Sequence, residues 1–171
     1  PSHWQQWVRV IAVPAAIGVA GTLWRRDPAA GRRVARLAAL SAGLLQRVRA
    51  FADGYLSTDR RLDVLIHNAG AIHTSYQTND AGTELTIAGQ VIAPFLLTSL
   101  LLPALLAAGQ SRVITVSSAG MYTQRLEPAI VQIPASGYRG VTAYAQAKRA
   151  QVALSREWAR RQHHRSEEVH R

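Results

Sequence analysis

The most informative shortage in this 171-residue sequence is cysteine, which is absent altogether. Without thiols the chain forms no disulfide and offers no thiolate ligand to a metal, so both kinds of site are excluded. The absence is compatible with a reducing compartment, and we expect a cytoplasmic protein. The length and a hydrophobic share of 48% predict a single folded domain with a substantial core.

Lysine and acidic residues are also scarce. Lys148 is the one lysine, and 20 basic against 10 acidic residues give a formal net charge of +10, which arginine supplies almost entirely. A basic balance can indicate a polyanion-binding surface, for a nucleic acid or a membrane. The arginines, however, are spread singly and in pairs along the chain rather than clustered with aromatic residues. We favour a solvated, arginine-rich surface, and we expect no nucleic-acid partner.

No hydrophobic run near the start of the chain is long enough to favour a membrane span. Residues 10–23 are apolar between flanking arginines, and they include Pro14, Gly18 and Gly21. A transmembrane helix needs roughly 20 apolar residues, which this run does not provide. A secretory leader is disfavoured because no small-residue cleavage site follows. We interpret the run as a buried strand with its turn, and membrane association remains the less favoured alternative.

Two short apolar runs predict buried strands. Residues 63–67 form the first and are followed by the turn Asn68–Ala69–Gly70. Residues 112–118 form the second, which is rich in β-branched side chains and ends in Ser117–Ser118. Small polar residues thus follow both strands.

Helical periodicity separates and follows these strands. Residues 82–108 carry a long apolar face, with a kink expected at Pro94 and a C-terminal stop at Gly109. Residues 142–161 form a second long amphipathic pattern that Thr142 can cap. Strands that alternate with helices predict a parallel sheet, in which ligands bind beyond the carboxyl ends of the strands.

The remaining segments are less regular. Residues 33–41 are compatible with another strand, and residues 45–56 with a helix. The polar tail, residues 162–171, contains three histidines, which can indicate a metal site. A frayed, solvated end is the favoured interpretation because no cysteine or ordered scaffold accompanies them. We predict no metal site.

Tyr144 and Lys148 are the pair with the clearest chemical meaning. Four residues apart in a predicted helix, they share one face and lie within reach of each other. A neighbouring ammonium stabilises a phenolate, which suits a tyrosine to act as general acid or base in alcohol–carbonyl interconversion. The hydroxyl of Ser118 could polarise the substrate oxygen as charge develops there. An exposed helix often carries a Tyr-x-x-x-Lys pair without function, so the spacing alone is a weak signal.

Three segments together carry a family resemblance: "HNAG", "RVITVSSAGMY" and "YAQAK". They resemble the Asn-Asn-Ala-Gly, Ser-Ser and Tyr-x-x-x-Lys motifs of the short-chain dehydrogenase/reductase family over residues 23–161. The stretches "VITVSSAGMYTQRL" and "YAQAKRAQVAL" are most similar to the subgroup called dehydrogenase/reductase SDR family member twelve. The resemblance implies an α/β, Rossmann-like three-layer fold with a parallel sheet, incomplete at both ends. Residues 1–171 would form one NAD(P)-binding domain, with an atypical segment at residues 1–22.

The same resemblance implies the catalytic residues. Ser118 matches the substrate-polarising serine, and Tyr144 the proton donor and acceptor. Lys148 matches the lysine that supports the tyrosine and holds the nicotinamide ribose. Gln90 matches an asparagine that supports a proton relay through water, although its side chain is longer by one methylene. Ser117 matches a position that is often not catalytic.

The cofactor-binding residues are implied in the same way. Asn68, Ala69 and Gly70 match the turn that borders the cofactor, beside Tyr144 and Lys148. Arg26 resembles an arginine that follows the family's second strand and accommodates a 2′-phosphate, which favours NADP(H) over NAD(H). The substrate would be a small alcohol or carbonyl compound, and association into homo-oligomers remains open.

The sequence also departs from the family pattern. The glycine-rich loop that approaches the pyrophosphate has only Gly18 as a match, with Pro14 in a glycine position. Ala39 stands where an aspartate is usual, and His67 replaces the first asparagine of its turn. The later strands and the substrate-binding segment of the family have no counterpart after residue 161.

These departures keep a second hypothesis open. The first is an NADP(H)-dependent oxidoreductase that uses a Tyr–Lys–Ser mechanism. The alternative is a catalytically inactive fragment or pseudoenzyme that acts at most as an interaction module. A basic protein that binds membranes or nucleic acids is a third, weaker option, with salt-dependent retention on a polyanion as its signature.

Overall fold

A parallel three-stranded sheet organises the computed structural model, which describes residues 10–13 and 43–169. The strands are β1 (Val10–Val13), β2 (Val64–His67) and β3 (Arg112–Thr115), in the order β1-β2-β3. Val10 lies opposite Val64, which in turn lies opposite Arg112. Both strands expected from the central apolar runs are therefore present, and the parallel α/β, Rossmann-like architecture is confirmed.

Three helices accompany this sheet within residues 43–169. They are α1 (Leu44–Leu56), α2 (Leu85–Ala107) and α3 (Gly140–Val169). Two 3-10 turns, Ala119–Thr123 and Pro128–Gln132, lie between β3 and α3. The three helices expected from sequence are all found. The strand expected at residues 33–41 lies outside the described residues.

The ends of the helices differ from the sequence-based expectation in two places. Helix α2 begins at Leu85 rather than at residue 82, because the carboxylate of Glu84 caps it by accepting from the N–H of Ile87. Helix α3 continues through the polar tail to Val169, where a frayed end was expected. The tail contains neither proline nor glycine, and its Arg, Gln and Glu residues have good helix propensity.

Helix α2 contains an irregular segment. Residues Ala88–Ile92 form a π-helical turn, and Pro94 is the second residue of the regular α-helical portion that follows. The expected irregularity is thus present but lies before the proline rather than at it. A proline has no N–H to donate to the preceding turn, which accounts for a local change in hydrogen bonding there. The helix ends as expected before Gly109, whose φ is 77°.

The largest apolar cluster joins α1, α2 and the region of β2. It consists of large leucine side chains and one alanine, all fully or almost fully buried: Ala52, Leu62, Leu65, Leu97, Leu101 and Leu105. Burial of one such leucine contributes roughly 1.5–3 kcal/mol. We call these six residues the leucine cluster.

A second cluster joins the start of α2 to α3. Ile87 and Val91 of α2 pack against Ala147 and Ala150 of α3, with Ile130 of the second 3-10 turn. Alanines at this contact let the two helices approach closely. We call these five residues the alanine contact, and it brings the irregular part of α2 beside the helix that carries Tyr144 and Lys148.

Strand β3 remains open to solvent in the part of the chain that the structure describes. Val113 and Ile114 of β3, and Val116 just beyond it, are each more than 40% exposed. Such an exposed edge favours association.

Two apolar segments bear on the question of a membrane. Residues 10–13 of the N-terminal apolar run form β1, in agreement with a strand there, while the rest of that run lies outside the described residues. Helix α2 is long and apolar enough to cross a membrane by length and composition. Three of its leucines, Leu97, Leu101 and Leu105, pack into the leucine cluster.

Candidate active site

Lys148 is buried at the carboxyl end of the sheet. Its side chain is only 3% exposed, and its ammonium nitrogen Nζ donates to the carbonyl of Val116, 2.8 Å away, just beyond β3. Nζ lies 5.6 Å from the ring centroid of Tyr144, one helical turn earlier on α3. Burial lowers the pKa of Lys148 below its ordinary value because a desolvated ammonium is disfavoured. The predicted Tyr–Lys pair is thus brought together, with the lysine out of bulk water.

The two serines after β3 have different environments. The hydroxyl oxygen of Ser118 accepts from the backbone N–H of Gly120 at 3.3 Å and so caps the 3-10 turn Ala119–Thr123. That turn packs against α3. Ser117 instead donates to the backbone carbonyl of Lys148 at 3.3 Å. Ser117 therefore ties the end of β3 to α3, and Ser118 is the serine whose hydroxyl is held at the turn.

Gly70 lies against both Lys148 and Gln90. A Cβ at this position would be 3.6 Å from Nζ of Lys148 and 3.4 Å from Oε1 of Gln90. Within the same turn, Asn68 is exposed and Ala69 is partly buried. The absence of a side chain at Gly70 therefore keeps space at the centre of the site.

Gln90 is buried at the π-helical turn of α2. Its side-chain Nε2 donates to the carbonyl of Ala71 at 2.7 Å, which fastens α2 to the turn after β2. Its Oε1 has no hydrogen-bond partner among the described residues, although the side chain is only 3% exposed. Gln90 thus lies beside the turn that follows β2, with its amide oxygen close to Gly70.

His67 belongs to β2 rather than to the following turn. Its ring Nε2 lies 2.8 Å from the hydroxyl oxygen of Thr98 on α2, and the residue is 5% exposed. Burial lowers the pKa of His67 to about 4, so the ring is neutral at physiological pH. His67 therefore has a packing role behind the site.

Some residues of the predicted site lie outside the described residues. These are Arg26, the glycine-poor segment from Pro14 to Ala20, and Ala39. Conversely, sequence patterns did not single out Gln151, which contacts Gln90 across the alanine contact. Only its position three residues after Lys148, on a nearly equivalent face of the helix, could have suggested it.

A parallel sheet whose strands alternate with helices defines the α/β class of proteins, and the comparison with protein families narrows this class. The family model described as short chain dehydrogenase matches residues 32–169. The chain belongs to the short-chain dehydrogenase/reductase family.

Curated relatives refine this placement. Human dehydrogenase/reductase SDR family member 13 is 45% identical over 122 residues, which are 71% of this chain and 32% of that protein. Human member 12 is 38% identical over 101 residues, or 59% of this chain and 32% of the relative. The resemblance to member twelve is confirmed, and member 13 matches at higher identity over a longer stretch. The chain spans about a third of the length of these relatives.

Solved structures agree with the fold. An uncharacterised protein from Mycobacterium paratuberculosis superposes with a TM-score of 0.58 at 34% identity, covering 68% of this chain and 41% of that one. A Beutenbergia cavernae protein, assigned as an NAD(P)-dependent gluconate 5-dehydrogenase and crystallised with NADP at low occupancy, gives a TM-score of 0.50 at 28% identity. It covers 68% of this chain and 42% of its own.

Proposed function

We propose that this chain forms the catalytic part of an oxidoreductase that transfers a hydride between NADP(H) and an alcohol or carbonyl substrate. The observation that carries the proposal is the buried Lys148 ammonium, 5.6 Å from the Tyr144 ring at the carboxyl end of a parallel sheet. Ligands of open α/β sheets bind at that end. The substrate is proposed only as a class.

The residues of the site suit proton transfer to a substrate oxygen. In the reductive direction, the Tyr144 hydroxyl donates its proton to the carbonyl oxygen, while the Lys148 ammonium stabilises the phenolate that remains. The Ser118 hydroxyl donates a hydrogen bond to the same oxygen and stabilises its developing charge. Bound NADPH would supply the hydride to the carbonyl carbon.

The site fits a nicotinamide nucleotide. Gly70 leaves open the space that a Cβ would occupy against Lys148 and Gln90. The Lys148 ammonium at the edge of this space can hold a ribose hydroxyl, and Asn68, two residues before Gly70, is exposed. Preference for NADP(H) over NAD(H) rests on the Arg26 resemblance, and the NADP-bound Beutenbergia structure makes the choice reasonable.

The experiment is a Tyr144→Phe substitution assayed for NADPH formation from NADP⁺ over a panel of alcohols. The panel includes retinol, because human retinol dehydrogenase 11 is 36% identical over 114 residues. Loss of the hydroxyl should lower the rate at least about 100-fold without changing the melting temperature. Tyr122→Phe is the matched control, since Tyr122 is 76% exposed on the neighbouring 3-10 turn. Unchanged activity in Tyr144→Phe would overturn the mechanism.

A second candidate function is a non-catalytic interaction module, which the exposed β3 strand favours. Calorimetric titration of the folded chain with NADPH and NADH separates the two. Saturable binding with a preference for NADPH supports the oxidoreductase. Absence of binding to either nucleotide, together with self-association in sedimentation experiments, supports the interaction module.

A further inference from the structure

The irregular segment of α2 leaves one carbonyl without its usual donor. Where regular α-helical spacing resumes after the π-helical turn, the donor to the carbonyl of residue 90 would be the N–H of residue 94. Residue 94 is a proline and has no N–H, so this bond is absent. The Gln90 carbonyl is buried, and a buried carbonyl without a donor is costly, commonly by about 1–3 kcal/mol.

Gln151 of α3 supplies a replacement donor. Its side-chain Nε2 donates to the Gln90 carbonyl at 2.5 Å, and Gln151 is only 3% exposed. The two residues lie 61 positions apart in sequence. Gln151 is also three residues after Lys148 and so lies almost one turn further along the same helix.

This bond closes a chain of contacts around the site. Gln151 holds the backbone of Gln90, and the Gln90 side chain holds the carbonyl of Ala71. Gln90 Oε1 and Lys148 Nζ both lie against Gly70. A shift of residue 90 along or around α2 would therefore change the space at Gly70 and the surroundings of Lys148.

We propose that Gln151 is a positioning residue, which replaces the helical hydrogen bond that Pro94 removes and thereby holds Gln90 in register with Gly70 and Lys148. The proposal rests on the proposed oxidoreductase function for its effect on rate. The effect of Gln151 on the position of Gln90 relative to Lys148 does not depend on that function.

The test is a double-mutant cycle of Gln151→Leu with Pro94→Ala. The leucine removes the donor at similar volume, and the alanine restores an N–H at the position that normally bonds to the Gln90 carbonyl. In the parent chain, which keeps Pro94, Gln151→Leu should lower kcat roughly 10- to 100-fold with a smaller change in KM. A loss of this size is expected when the groups of an active site are displaced. In the Pro94→Ala background the same substitution should cost less than about threefold, because coupled sites are not additive.

A second readout does not depend on activity. Lys148 is the one lysine of the chain, so lysine labelled with ¹³C at Cε gives a single side-chain NMR signal. Gln151→Leu should shift this signal and its titration, and adding Pro94→Ala should move both back toward the parent values. Gln110→Leu is the control, since Gln110 is exposed beyond α2 and should leave the signal unchanged. If Gln151→Leu does not fold, Gln151→Asn, which keeps the amide but shortens its reach, takes its place in the cycle.

The outcomes separate the two proposals. Equal effects of the Gln151 substitution in both backgrounds, on rate and on the lysine signal, would overturn the positioning role. A restored lysine signal in an enzyme without measurable turnover would keep the positioning role and reject the oxidoreductase function. Restoration of both supports the two together.

Discussion

The leucine cluster and the alanine contact are held together in different ways. The first joins Ala52 of α1 to five large, almost completely buried leucine side chains of α2 and the region of β2. The second packs Ile87 and Val91 of α2 against small alanine side chains of α3, and a buried hydrogen bond from the Gln151 side-chain amide to the Gln90 carbonyl lies beside it. The leucine cluster supplies apolar area, whereas the alanine contact sets the distance between the two helices that meet at the candidate site. Stability and site geometry thus depend on different parts of the molecule.

The substitution Leu101→Ala tests whether the leucine cluster supplies most of the stability. Leu101 is fully buried in the leucine cluster, and truncation leaves a cavity that should cost about 2–5 kcal/mol in the free energy of unfolding. Urea unfolding followed by circular dichroism measures the change. Leu106→Ala, at a position 48% exposed on the same helix, should cost less than about 1 kcal/mol. The Lys148 signal of folded Leu101→Ala should remain at its parent position, and a large shift would remove the distinction between the two regions.

His67 provides a test by pH. Its pKa is about 4 when folded and 6.5 when unfolded, so below pH 6.5 the unfolded chain binds a proton that the folded chain does not. This group therefore does not reduce the free energy of unfolding above pH 6.5. As the pH falls from 6.5 toward 4, protonation of the unfolded chain lowers the free energy of unfolding by about 3 kcal/mol.

Urea unfolding between pH 7.5 and 4 checks this dependence. His67→Asn, which cannot titrate, should show a flatter profile over the same range. A profile as steep in this variant as in the parent would assign the pH dependence to other groups.

A smaller effect on stability is expected from Ala147→Leu at the alanine contact. Ala147 is fully buried against α2, so the added isopropyl group should overpack the contact and cost about 1–3 kcal/mol. The helices should separate locally and shift the Lys148 signal, unlike the result expected for Leu101→Ala. Ala107→Leu, at an exposed position near the end of α2, is the control for size. An unshifted lysine signal in folded Ala147→Leu would show that the contact does not set the site geometry.

The sequence predicted much of the fold because its signals were local. The apolar runs before Asn68 and before Ser117 gave strands within a few residues of those observed, and period-3.6 patterning located the helices. The amphipathic pattern predicts a shorter α3 than the structure shows. Its polar tail lacks an apolar face but contains no helix breaker, so the helix continues to Val169. The π-helical turn was anticipated only as a kink at Pro94, because a proline signals a lost bond but not how the turn before it adjusts.

Some features of the candidate site can likewise be predicted from local sequence, and others cannot. By itself the sequence determined that Tyr144 and Lys148 share a helix face, and that Asn68–Gly70 and Ser117–Ser118 follow parallel strands, because these relations depend on spacing along one element. Only the tertiary structure decided that Lys148 is buried, that Ser117 rather than Ser118 is tied to its backbone, and that Gly70 lies against Gln90. It also decided that Gln151 replaces the donor missing at Pro94. Such contacts join segments far apart in sequence, and they depend on how closely two helices pack, which no local periodicity records.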